Sequence, residues 1–166
     1  MLLPPNLLEA EIYTDGSCHT QYGVGAWVVI VFTFNEKKVF TGTVTDTNHN
    51  RMELTAVIKG IEYLKNENSK INSIKIFTDS QYVIGLPLRK KKLMSLDFTT
   101  RAGKKIQNAD LVISLFKNLD TFHIEWVKVK AHQKKKVDEN FNIEADKICR
   151  KIMRGLVAAA DRDCQR

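Results

Sequence analysis

Apolar residues along this chain first alternate or run together and then fall into a helical period, and each change of pattern marks an element. From about Glu9 the chain reads as a strand. Ile12-Tyr13-Thr14 carry β-branched and aromatic side chains into Asp15, and Gly16-Ser17 supply a stop signal with turn-permissive backbone. A turn through His19 to Gly23 leads into a second strand, Gly25 to Phe32, apolar on both faces as expected when each side is covered. Asn35-Glu36-Lys37 makes a hairpin turn. The third strand, about Lys38 to Thr45, sets Val39, Thr41, Thr43 and Thr45 against Phe40 and Val44, which suits a sheet edge.

From Asn50 to Leu64 the period becomes helical, with Met52, Leu54, Ala56, Val57, Ile61 and Leu64 on the apolar stripe and Asn48-His49-Asn50 offering a start cap. After a polar connection, Ile74 to Thr78 alternates as a strand into Asp79-Ser80. A short helix follows from Ser80, stopped by Gly85 and Pro87. The segment 88–105 has no apolar period and reads as a projecting helix-loop element. Leu111, Val112, Leu115, Phe116 and Leu119 mark a further helix, and Phe122 to Val129 alternates as the last strand. A basic loop, Lys130 to Lys136, precedes a final helix from about Asp138 to Met153. Residues 1–8 read as a loose lead-in, and 155–166 as a tail that is frayed or an expression scar.

A meander followed by strands with helix-carrying connections gives an α/β fold, a mixed sheet in which the first, fourth and fifth strands can be parallel. Ligands of open α/β sheets collect beyond the carboxyl ends of such strands. Asp15 and Asp79 then face each other there, with Glu53 and Asp146 on the flanking helices. Taken singly, each has an ordinary explanation. A strand-end aspartate caps the next helix or starts a turn, and an acid in a helix's first turn, where Glu53 is expected, complements the dipole.

Length and composition narrow the class. A chain of 166 residues is one domain's worth, able to bury roughly 70% of its unfolded surface. Apolar and charged fractions of 43% and 27% are those of a folded globular protein, and no run reaches membrane-spanning length. Cys18, Cys149 and Cys164 show no CxxC spacing and read as reduced thiols of a cytoplasmic protein. The net charge of +7 is clustered, with Arg89, Lys90, Lys91, Lys92, Arg101, Lys104 and Lys105 close together and only Asp97 among them. Such a cluster is either a well-solvated face or a footprint for a polyanion, held by salt-sensitive phosphate contacts.

Four converging carboxylates would repel one another and raise each other's pKa unless a cation neutralised them. Oxygen-only ligands select hard ions, Mg²⁺ or Mn²⁺ over zinc, and an all-carboxylate site beside a basic groove suits phosphodiester cleavage by two ions about 4 Å apart.

The strings TDGSC at 14–18, NRMEL at 50–54, TDSQY at 78–82, EWVK at 125–128 leading to His132, and EADK at 144–147 resemble type 1 ribonuclease H, in the same order over about 9–154. The resemblance implies a ribonuclease H-like fold, a five-stranded mixed sheet of order 3-2-1-4-5 flanked by helices. It also implies an endonuclease that hydrolyses the RNA strand of an RNA/DNA hybrid, leaving 3′-hydroxyl and 5′-phosphate ends. By position, Asp15 would bridge two ions, Asp146 would hold the ion that activates water, and Glu53 and Asp79 would hold the ion beside the leaving oxygen. His132 matches the family's mobile histidine. Gly16, Ser17, Cys18, Asn50, Arg51 and Gln81 match positions near the RNA sugars and minor groove, where the 2′-hydroxyl marks RNA. Segment 88–105 corresponds to the basic protrusion that grips DNA. A monomer without an organic cofactor is the expectation.

Two departures stand out. The turn after the first motif is reduced to His19-Thr20-Gln21-Tyr22, and His49 stands where an asparagine is usual. Rival readings are a catalytically silent nucleic-acid-binding domain of this fold, against which the four acids argue, and the ribonuclease H domain of a reverse transcriptase, against which an initiating Met1 weighs.

Overall fold

The computed structural model describes residues 8–34, 36–67, 70–130 and 141–164. Five strands form one sheet: β1 (Leu8–His19), β2 (Val24–Phe32), β3 (Lys37–Val44), β4 (Ile71–Thr78) and β5 (His123–Lys128), in the order β3-β2-β1-β4-β5. The β1-β2-β3 meander is antiparallel, while β4 pairs parallel with both β1 and β5. Helices α1 (His49–Asn66), α2 (Gln81–Leu88), α3 (Lys90–Ser95), α4 (Ala109–Leu119) and α5 (Phe141–Cys164) complete the chain. The expected sheet order and the edge position of the third strand are both found.

Side-chain alternation divides the apolar residues between two faces. On one, Ile12, Val29, Val31, Ile74 and Ile76 meet Leu54, Val57, Ile61 and Leu64 of α1 and Val112 and Leu115 of α4. On the other, Tyr13, Val28 and Ile30 meet Ala145, Cys149 and Met153 of α5. Each fully buried Ile, Leu or Val contributes about 1.5–3 kcal/mol, so the two layers clamp the central strands from both sides. Trp27 of β2 and Trp126 of β5 pack half-buried against the first cluster.

Gly42 shows how tightly the edge strand is fitted. A Cβ built there would lie 2.4 Å from Cε2 and Cζ2 of the Trp27 indole, so the ring rests on bare backbone. Gly42→Ala is expected to cost about 1–3 kcal/mol, as other overpackings do, read as a lower urea midpoint with unchanged slope. A midpoint equal to that of the parent chain would show that the ring moves freely.

Three expected boundaries differ. The first strand does not stop at Gly16-Ser17: β1 continues to His19 because β2 goes on pairing with it, Gly16 opposite Trp27 and His19 opposite Val24. Gly85 and Pro87 lie inside α2 instead of ending it. Val83 and Leu86 are buried and anchor that helix, and Pro87 sits in its last turn, where few further backbone bonds depend on its missing N–H. Residues 155–164, expected as a frayed tail, continue α5 as helix. Leu156 packs against the second core cluster and the Tyr22 hydroxyl donates to Asp161, which together offset the roughly 1 kcal/mol cost of Gly155 in a helix.

Candidate active site

The parallel pairing of β1 with β4 ends at Tyr13 opposite Phe77, two residues before Asp15. Asp15 therefore stands on a strand that has outrun its parallel neighbour, at the carboxyl edge of the sheet. It shares a face with Tyr13 and lies opposite Val28, so its side chain belongs to the α5 layer. Asp79 follows the last residue of β4. Its neighbours fix the exit: the Ser80 N–H donates to Thr78 Oγ1, the Ser80 hydroxyl caps α2 by accepting from the Val83 N–H, and the Val129 N–H donates to the Thr78 carbonyl.

Glu53 arrives from the opposite layer. Helix α1 begins at His49, with Asn48 as N-cap accepting from the Arg51 N–H, so Glu53 occupies its second turn and is only 2% exposed. That position removes the dipole-complementing explanation, which needs an acid in the first turn. What lets α1 come so close is Gly16. A Cβ there would lie 2.3 Å from the Glu53 nitrogen and 2.4 Å from the Met52 carbonyl carbon, so the helix backbone rests directly on the strand. The glycine expected as a turn former is thus a contact surface within the strand.

These placements bring Asp15, Glu53 and Asp79 together, with one carboxylate oxygen from each within 4.8 Å of the others. Glu53 Oε1 lies 3.4 Å from His49 Nε2, while Oε2 is buried with no hydrogen-bond partner among the described residues. Burial pushes the Asp15 carboxyl up to about 7. The charges of Asp146 and Asp79 add to this, while the Cys149 thiol and Gly16 N–H pull the other way. Burial likewise holds Glu53 well above the usual carboxylate range, reinforced by Asp15 and Asp79. Hard oxygen donors, a buried carboxylate oxygen lacking a partner and mutual repulsion are what a divalent cation would resolve, so the residues fit such an ion.

Asp146, the fourth acid, stands outside this group of three. It lies on α5, close enough for its charge to raise Asp15, but its Oδ1 accepts from Arg150 Nε at 2.9 Å. His132 falls outside the described residues. Arg51 is committed to a two-pronged pair with Asp110 on α4, at 2.9 and 2.8 Å, and ties α1 to α4. Cys18 donates to the Thr47 carbonyl, and Asn50 and Gln81 lie in the first turns of α1 and α2.

In the basic segment Arg89, Lys91, Lys92, Arg101, Lys104 and Lys105 are exposed, while Leu93, Phe98 and Ile106 anchor it to the core. Lys90 pairs with Asp120 and Lys105 with Asp97. Cys149 was missed as a neighbour of the site. It is fully buried, donates to the Ala26 carbonyl and bears on Asp15. Its place three residues after Asp146 on one helix was the available signal.

The raised carboxyls set a pH dependence of stability. As pH rises from about 4 to 7, Asp15 in the unfolded chain gives up its proton before the folded one does, so stability falls across that window. Cation-free Asp15→Asn protein is therefore expected to gain melting temperature over the parent chain between pH 5 and pH 8. Divalent cation should stabilise the parent more at pH 8 than at pH 5, since it binds the ionised form of the folded state. Equal cation effects at both pH values, or no gain from Asp15→Asn, would contradict the repulsion.

Among the described residues no helix is long and apolar enough to cross a membrane. Compared with known proteins, residues 8–154 match the family model for RNase H. A ribonuclease H of Wolbachia sp. subsp. Drosophila simulans is 35% identical over 146 residues, 87% of this chain and 95% of that protein. Another, from Caldicellulosiruptor saccharolyticus, is 32% identical over 150 residues, 89% and 98% of the two chains. Among solved structures, LC9-RNase H1, a type 1 RNase H with the type 2 active-site motif, superposes with a TM-score of 0.74 at 19% identity, over 93% of this chain and 75% of that one. A foamy viral protease-reverse transcriptase in complex with dsDNA gives 0.69 at 18%, over 90% and 97%. The sheet order, the convergent acids and these matches lead to one conclusion: the chain belongs to the ribonuclease H family of enzymes.

Proposed function

We propose that this protein is an endoribonuclease that hydrolyses the RNA strand of RNA/DNA hybrids with two divalent cations, leaving 3′-hydroxyl and 5′-phosphate ends. The observation that carries this reading is the meeting of Asp15, Glu53 and Asp79 within 4.8 Å at the sheet edge of a chain of this family. Asp15, Glu53 and Asp79 would hold one ion, and Asp15 with Asp146 the other, a hard divalent cation such as Mg²⁺ or Mn²⁺. When bound, the ions lower the pKa of water and offset charge on the departing oxygen.

The chain's own residues supply the rest. Gly16 lets two layers of the fold share one site, and the burial of Glu53 keeps its carboxylate from wandering into solvent. Asp146 would have to leave Arg150 to serve as a ligand. Asn50, Gln81 and the backbone at Gly16 to Cys18 would follow the minor groove, where 2′-hydroxyls distinguish RNA. Arg89, Lys91, Lys92, Arg101 and Lys104 would grip the DNA strand's phosphates, and His132 would assist proton movement or product release. Arg51 would brace α1 and reach nucleic acid only by leaving Asp110.

The test is incubation with Mg²⁺ and labelled RNA/DNA hybrid, RNA duplex, DNA duplex and single strands. Internal cuts in the hybrid's RNA strand alone are expected. Cleavage of duplex DNA, or binding without any cleavage, would overturn the reading, the latter in favour of a silent nucleic-acid-binding domain.

A further inference from the structure

A groove runs between the end of β1 and α5. Its first compartment, about 480 Å³, is lined by Ser17, Lys147, Arg150, Met153 and Arg154. The second, about 370 Å³, shares Ser17, Met153 and Arg154 and extends past His19 and Val157 to Asp161. Both lie within the roughly 300–1,000 Å³ typical of small-ligand clefts. Ser17 stands on the same face of β1 as Asp15, and Arg150 in the groove wall bonds Asp146, so the groove adjoins the proposed site.

Its chemistry suits one strand of nucleic acid. Lys147, Arg150 and Arg154 recur at three- and four-residue spacing and line one helix face, all exposed. Among the described residues no ion pair engages Lys147 or Arg154, while Arg150 bonds Asp146. The floor is apolar, Met153 and then Val157, the kind of surface on which a ribose or base rests. At the far end Asp161, held by the Tyr22 hydroxyl, reverses the charge. The family match ends at 154, so this far wall lies beyond the matched region.

We propose that this groove seats the single-stranded continuation of the cleaved strand where RNA runs on beyond its hybrid. The inference rests on the hybrid-cleaving reading above, because the strand presented to Asp15 is the one that passes Ser17 next. Phosphates lie against Lys147, Arg150 and Arg154, and sugar and base faces lie over Met153 and Val157. Lys147 to Arg154 spans about 10 Å at ~1.5 Å per helical residue. At ~3.4 Å per nucleotide of a stacked strand that is room for two or three phosphates, after which Asp161 repels the chain.

The test measures fluorescence anisotropy in divalent-free buffer for a flush hybrid and for the same hybrid with RNA tails of one to six nucleotides at either end. A tail at one end should raise affinity about tenfold, with the gain complete by about three nucleotides and lost in high salt. Lys147→Ala/Arg154→Ala should reduce the ratio of tailed to flush affinity to about one, and the charge-keeping Lys147→Arg/Arg154→Lys should retain it. No gain from a tail in the parent chain, or a gain that survives the alanine pair, makes the groove an ordinary solvated helix face. An equal gain from a DNA tail assigns it to the other strand, and either result overturns the proposal. Cleavage of the flush hybrid in Mg²⁺ by the parent chain reports on the hybrid-cleaving reading separately.

Discussion

Asp79→Asn is expected to cut hydrolysis of the hybrid's RNA strand by about a thousandfold, with Asp15→Asn at least as damaging. The basis is the loss of one charged oxygen from the group of three within 4.8 Å that, on the proposed reading, holds an ion. Several kcal/mol of transition-state charge stabilisation pass through such ligands, and each 1.36 kcal/mol is a factor of about ten in rate. Asparagine keeps the side chain's size, so the sheet end should fold as before. Hybrid affinity in divalent-free buffer should be retained, because phosphate contacts made elsewhere dominate it. The informative pairing is rate against melting temperature: both variants should be slower yet no less stable without cation, since each removes a repelling charge beside Glu53. Activity within tenfold of the parent chain in either variant would remove these acids from the chemistry.

Gly16→Ala should harm stability and activity together. The added methyl would meet the Glu53 nitrogen at 2.3 Å and the Met52 carbonyl carbon at 2.4 Å, and both are backbone atoms that cannot rotate away. Either β1 and α1 separate or the helix start shifts, at a cost of about 1–3 kcal/mol or more. Each way Glu53 moves relative to Asp15, and a displacement of about 1 Å at a catalytic constellation can cost about a hundredfold in rate. Gly42→Ala is the comparison, since on the edge strand β3 its clash is with the Trp27 side chain of β2 and not with the backbone that carries Glu53. Measured as rate per folded molecule, Gly16→Ala should fall about a hundredfold, while Gly42→Ala should keep its rate although its midpoint drops. Equal rates in the two variants would mean that Gly16 serves packing alone.

Gly16 and Gly155 show why local sequence reading misjudges some positions. Gly16-Ser17 after a β-branched run has the composition of a turn, yet β2 carries the strand on to His19, because pairing with a neighbour outweighs a weak local signal. Glu53 was legible as a helical acid, but its burial depends on how closely α1 approaches β1, and residues far apart in the sequence set that approach. Asp146 was legible as an acid on the last helix, whereas its engagement by Arg150 depends on rotamers that no motif string encodes. Gly155 read as an end, and α5 instead runs through it because Leu156 has a core to join and Asp161 a tyrosine to bond.

By itself the sequence determined the order of strands and helices, the edge character of β3, the four acids and the family they resemble. Periodicity, capping and motif order are local properties that a single chain displays directly. Only the tertiary structure decided that three acids share one notch while the fourth is held by an arginine, that a glycine is the surface on which a helix rests, and that Cys149 abuts Asp15. It also decided that the extended last helix walls a groove beside them. Those outcomes follow from register and interlayer distance, which are set when surfaces remote along the chain pack to crystal-like density.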